Sequence, residues 1–210
     1  MSAHVDPRVL PDLSPFLHGR ARVLIPITAP AVDVDLDLRY ATDANLAGRR
    51  LYRRAACLLN AEAASALVRA ADLARPLGLR LRVFDAFRPI EVQRALARRF
   101  PDSPYVSDPR HGSVPHCRGA AVDLTLTDAA GTALDMGTDF DELSPAAHHR
   151  NAGVAPVAQR NRALLLGLMT AAGWDFYARE WWHYQLFQPR RFPVLSDSAL
   201  GEPIAMAGLA

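Results

Sequence analysis

The chain has 210 residues, half of them apolar and 22% charged, with a formal net charge of +2. That length suits one well-buried domain, and the composition excludes a disordered or fibrous chain. All 24 basic side chains are arginine, but 22 acidic residues are interspersed with them, so no basic stripe stands unopposed and no nucleic-acid partner is expected.

Residues 1–20 are proline-rich and of mixed polarity, which predicts an irregular N-terminal arm. No basic segment is followed by an apolar one there, and no run approaches 18 apolar residues. Neither a secretory leader nor a membrane span is read, and a cytoplasmic location is expected. Residues 32–41 alternate apolar and polar, as a half-buried strand does. The arginine-rich RRLYRR at 49–54 reads as a solvated face. Residues 60–76 predict a helix, with Asn60 as N-cap and Gly78 as the stop. A strand over 79–87 follows, then a second helix over 88–100 with Pro89 in its first turn.

Residues 101–118 form a long loop rich in Pro, Ser, Asp and Gly, and long ordered loops are often functional. GAAVDLTLTD at 119–128 reads as a strand that pairs in a hairpin with TALDMG. Residues 139–153 are irregular, and a third helix covers 157–172 before Gly173. WDFYARE and WWHYQLF are two further strands, and the chain after Phe192 lacks periodicity. These elements predict an α+β fold, a small single domain with a mostly antiparallel sheet flanked by helices. The expected boundaries are an arm at 1–20, the domain at 21–192 and an irregular tail at 193–210.

Four residues carry the expected chemistry: His116 and Asp123 in HCRGAAVD, and Glu180 and His183 in EWWH. Two imidazoles and a carboxylate make a three-ligand Zn²⁺ set with one position open, which distinguishes a hydrolytic site from a closed structural one. Asp123 lies in an apolar strand, where an unpaired charge is very costly. Gly119 and Ala121 are expected to leave space beside the sheet for metal and substrate. Glu180 and His183 are three apart, so a straight strand would turn them to opposite faces. A bend at Trp181–Trp182 is therefore predicted. The two tryptophans pack the core and shield the site.

Glu180 would take a proton from a metal-bound water and pass it to the leaving amine. Arg88 in FDAFRP is the expected cation beside the tetrahedral oxyanion, or alternatively a tie to the strand end through Asp85. His4, His18, His111, His148 and His149 are read as non-ligands. Cys57 and Cys117 are too few for a disulfide framework, and Cys117 is expected to be a small buried side chain.

FDAFRP, HCRGAAVDLTL, LDMGTDFD and EWWHY, in this order across residues 20–190, resemble the D-alanyl-D-alanine dipeptidase family, the group that includes the VanX type. The resemblance implies the small α+β zinc-peptidase fold shared with DD-carboxypeptidases and the hedgehog signalling domain. It implies one Zn²⁺ on His116, Asp123 and His183, Glu180 as general base and acid, and Arg88 at the transition state. It implies that Asp141 in GTDFD receives the free amino group of a small dipeptide substrate. Ser113, Asp85 and Trp182 complete the expected substrate-binding group. The family serine two residues before the first histidine ligand is here Val114, with serine one earlier at Ser113 and Pro115 after it. The carboxylate pocket is therefore expected to differ. Two other functions fit the motifs less fully: a DD- or LD-carboxypeptidase or endopeptidase on longer peptidoglycan stems, and a non-catalytic zinc-binding module.

Overall fold

In the computed structural model, which describes residues 24–209, the scaffold is a five-stranded sheet in the order β2-β4-β5-β7-β6. Its strands are β2 (Val34–Leu36), β4 (Arg80–Asp85), β5 (Ala121–Thr127), β6 (Asp175–Phe176) and β7 (His183–Gln185). β2 runs parallel to β4, and the other three pairings are antiparallel. A separate ribbon joins β1 (Ile25–Pro26) to β3 (Leu58–Leu59). The helices are α1 (Ala61–Ala74), α2 (Ile90–Arg99) and α3 (Pro156–Ala171). This is the expected α+β class with a mostly antiparallel sheet. The proposed arm at 1–20 lies outside the described residues.

α1 forms the crossover that parallel β2 and β4 require. The Asn60 side chain accepts from the Ala63 amide and caps it, and Gly78 in the left-handed region ends the turn that follows. Its buried face is mostly alanine, which lets it sit close to β4 and α3. α2 begins two residues later than expected, because Pro89 is its N-cap and not part of its first turn.

Several strands are shorter than their patterns. Residues 32–41 keep only β2 before a 3₁₀ turn at Arg39–Ala41. The hairpin after β5 is reduced to one bridge, Thr127 to Ala133. Residues 193–209 hold no strand or α-helix, yet they are packed in. Leu195 bonds Cys117 and Ile90 through its backbone, and Ile204 is fully buried beside Phe87 and Leu24. In RRLYRR the arginines are exposed while Leu51 and Tyr52 are buried.

Three local devices position the site. Between Val83 and Asp85 the β4–β5 register shifts, so Asp85 stands opposite Asp123. A 3₁₀ turn, Pro115–Arg118, carries His116 and ends at Gly119 in the left-handed region. A tight turn after β6 bends the chain at Trp181–Trp182, with the His183 amide donating to the Glu180 carbonyl at 3.3 Å. Gly119 does not make room for a metal. A Cβ there would fall 2.4 Å from Leu24 Cδ2 and 2.9 Å from the Asn60 nitrogen, because the turn is pressed against the start of α1. Gly119→Ala should therefore lower stability by more than the ~1–3 kcal/mol that a left-handed non-glycine residue costs, read as a fall in the denaturation midpoint.

Candidate metal centre and active-site cavity

β5 is buried at all seven positions, and Asp123 lies within it with only 2% of its surface exposed. Its Oδ1 is 3.0 Å from His183 Nδ1 and 3.3 Å from His116 Nε2. The two nitrogens are 3.2 Å apart. Tetrahedral donors at ~2.0 Å from an ion are separated by about 3.3 Å, so these atoms span one face of such a tetrahedron.

The outer nitrogens identify what these atoms offer. His116 Nδ1 lies 2.7 Å from the Ala86 carbonyl oxygen, and His183 Nε2 lies 3.3 Å from Gln185 Oε1. The Ala86 carbonyl only accepts, so a neutral His116 ring keeps its proton on Nδ1; the Gln185 amide oxygen can accept the corresponding proton from His183 Nε2. With both rings in that tautomer, two imidazole lone pairs and a carboxylate oxygen converge, a donor set able to hold a cation. Without one, the relief is protonation: burial opposes it at His183, but the Asp123 carboxylate outweighs burial and raises the imidazole above its ordinary value. Burial likewise works against the Asp123 carboxylate, yet the two imidazoles hold it well below the usual range.

Glu180 stands beside this group, with Oε2 4.0 Å from His183 Nδ1. Burial, reinforced by Asp123 and Asp141, pushes its carboxyl up to about 8 against the pull of His183 and Arg88. Arg88 is 8% exposed. Its Nε and Nη2 donate to Asp85 Oδ2 at 2.9 and 2.8 Å, and Nη2 is 3.6 Å from Asp123 Oδ2. Its guanidinium lies over the Tyr40 ring, 4.7 Å from the centroid.

These groups line a cavity of about 290 Å³, at the small end of ligand sites. Asp141, Ser113 and Trp182 also line it. Asp141 adopts φ +64° and accepts from the Leu46 amide at 2.9 Å. Its loop is anchored by Phe140, whose ring stacks on Phe84 and meets Trp182 edge-on. Burial pushes the Asp141 carboxyl up to about 7, although the Leu46 amide and Arg88 pull it down.

The model of the family described as D-ala-D-ala dipeptidase matches residues 20–197. A D-alanyl-D-alanine dipeptidase of Escherichia coli K12 is 42% identical over 79% of this chain and 85% of its own length. Dipeptidases of the same name from Streptomyces coelicolor and Enterococcus faecium are 34% and 28% identical, each over 71% of this chain and 84% of their own length. The chain belongs to the D-Ala-D-Ala dipeptidase family. It is a hydrolase of the metallopeptidase class.

Among the described residues of this family member, His116, Asp123 and His183 are the group able to hold a metal ion. Asp85 is corrected. It is fully buried behind Arg88, with Oδ1 taking the Tyr52 hydroxyl at 2.8 Å, so it braces the arginine and does not face substrate. His148 pairs with the Tyr105 hydroxyl, and His149 packs against Phe176 and Tyr184, both outside the donor group. The His111 carbonyl accepts from Arg190. His4 and His18 lie outside the described residues. Cys57 and Cys117 are free and buried, and burial pushes the Cys117 thiol up to about 12 while it packs against Ile90 and Val114. No helix among the described residues is long and apolar enough to cross a membrane.

Tyr40, Tyr52, Gln93, Tyr177 and Gln185 were not legible in the sequence as parts of this site. Tyr40 and Tyr52 reach it from a segment far from the motifs, while Gln93, Tyr177 and Gln185 lie within a few residues of them in no pattern that marks them. A divalent metal ion at 100 times its dissociation constant should raise stability by about 2.7 kcal/mol, read as a higher unfolding midpoint. Asp123→Asn should abolish that rise. Affinity should weaken as pH falls, because the metal must displace the proton whose hold on His183 the Asp123 carboxylate has raised; chelator competition at several pH values measures it.

Proposed function

We propose that this chain hydrolyses the D-alanyl-D-alanine dipeptide to two molecules of D-alanine, with one zinc ion held by His116, Asp123 and His183. The observation that carries the reading is the set of three donor atoms 3.0–3.3 Å apart, beside the Glu180 carboxyl in a small cavity. The names of the relatives support the substrate, and the donor set of two imidazoles and one carboxylate supports zinc. When bound, zinc supplies a Lewis acid that polarises a carbonyl and acidifies water.

The remaining work falls to side chains. Glu180, with a carboxyl whose affinity for a proton is raised toward neutrality, takes a proton from the attacking water and returns it to the leaving amine. Arg88 keeps its charge at any working pH. Of its five N–H groups, those not directed to Asp85 and Gln93 are available to the oxygen that becomes negative during attack. Asp141 receives the substrate ammonium, whose charge favours the ionised carboxylate. Trp182 forms an apolar wall for the methyl groups.

The chain's departure from the family serine is local. Val114, at φ +41°, packs on Ile90 and Cys117, while Ser113 lines the cavity and offers its hydroxyl to the substrate carboxylate. The cavity volume favours a dipeptide over a peptidoglycan stem.

Zinc-loaded protein should release D-alanine from D-Ala-D-Ala; no release with zinc confirmed bound overturns the reading. Glu180→Gln should lower kcat by ~10²–10⁴-fold with zinc content unchanged. Asp141→Asn should raise KM for the free dipeptide and narrow its advantage over the N-acetylated form, in steady-state assays of both substrates.

A further inference from the structure

Gln93 is a buried amide on the face of α2 that otherwise turns Ile90, Val92 and Leu96 inward, and it is 3% exposed. A primary amide on such a face is costly unless both its ends are bonded. Here they are. Its Oε1 accepts from Arg88 Nη1 at 3.0 Å, and its Nε2 donates to the Ser107 carbonyl at 2.7 Å. A carboxylate offers only acceptors and an ammonium only donors. Glutamine joins a donor on one side to an acceptor on the other.

The two sides differ in kind. On one side is the guanidinium. Asp85 holds Nε and Nη2 through a single oxygen, the Tyr40 ring packs on the face of the group, and Gln93 holds the remaining nitrogen, Nη1. On the other side is the segment 101–113, which has neither helix nor strand and contributes Tyr105, Val106, Ser107 and Ser113 to the cavity wall. The proline that caps α2 directly follows Arg88, so the helix and the arginine share one rigid origin. Ser107 has no such anchor in sequence.

We infer that Gln93 is a positioning residue that ties the Arg88 guanidinium to the cavity wall at Ser107, so that Arg88 meets substrate in one orientation. This rests on the role proposed for Arg88.

The test is steady-state kinetics of zinc-loaded variants on D-Ala-D-Ala, with amide hydrogen exchange across residues 101–113. Gln93→Met keeps the shape and removes both bonds. It should lower kcat by about 10- to 100-fold, the scale of a catalytic group displaced by ~1 Å, with a smaller change in KM. Exchange around Ser107 should rise. Gln93→Glu keeps an acceptor for Arg88 but sets a carboxylate against the Ser107 carbonyl. It should recover most of the lost kcat while exchange stays raised. In an Arg88→Ala background, Gln93→Met should cause no further loss. If Arg88→Ala leaves kcat unchanged, the reading of Arg88 fails. If Arg88→Ala lowers kcat but Gln93→Met has no effect, or the same effect in both backgrounds, the inference about Gln93 is overturned. Should the methionine variant not fold, a glutamate variant whose kcat falls as far as that of Arg88→Ala overturns it equally.

Discussion

A carboxylate sealed inside the central strand governs this structure. Asp123 is deep in β5, covered on both faces, and its nearest neighbours include two imidazole nitrogens. A buried anion among lone pairs is tolerable only with a positive charge at the centre. The Ala86 carbonyl, which can only accept, holds the neutral His116 ring in one tautomer. Folding therefore assembles a donor group able to hold a cation.

The sheet makes that convergence possible by being irregular where regularity would fail. The shift beside Phe84 sets Asp85 opposite Asp123 and starts the turn that leads to Arg88. The turn at Trp181–Trp182 does for Glu180 and His183 what a straight strand could not. Both breaks are held by aromatic packing, with Phe84, Phe140, Trp181 and Trp182 in one contiguous set of rings. The same Phe140 anchors the loop that brings Asp141 across the cavity.

Charge is graded across the cavity. Asp123 is held ionised, while Glu180 and Asp141 are pushed up toward neutral pH by burial and by each other's proximity to Asp123. Asp85, more deeply buried still, is also raised, and Arg88 and the Tyr52 hydroxyl compensate it. Neighbouring carboxyls with affinities driven apart are the usual basis for dividing charge holding from proton transfer. The division of labour proposed for this site follows the same gradient.

The candidate donor group, the glutamate beside it, the bend between the tryptophans and the α+β class can be read from the chain. The reason is physical: a buried aspartate in an apolar strand, and a glutamate and histidine three apart, announce a constraint that local structure must meet. Asp85 was misjudged because sequence shows an acid near an arginine without showing which of them faces the cavity. Gly119 was misjudged because its neighbours Leu24 and Asn60 are remote in the chain. Tyr52 sat unseen in an arginine-rich run, and Gln93 in a helix whose pattern marks its face as core. By itself, then, the sequence determined which groups could share an ion, since residue types and short spacings limit them. The tertiary structure alone decided which polar groups brace that chemistry from behind and how large the cavity is, because both depend on contacts between segments 14 to 95 residues apart.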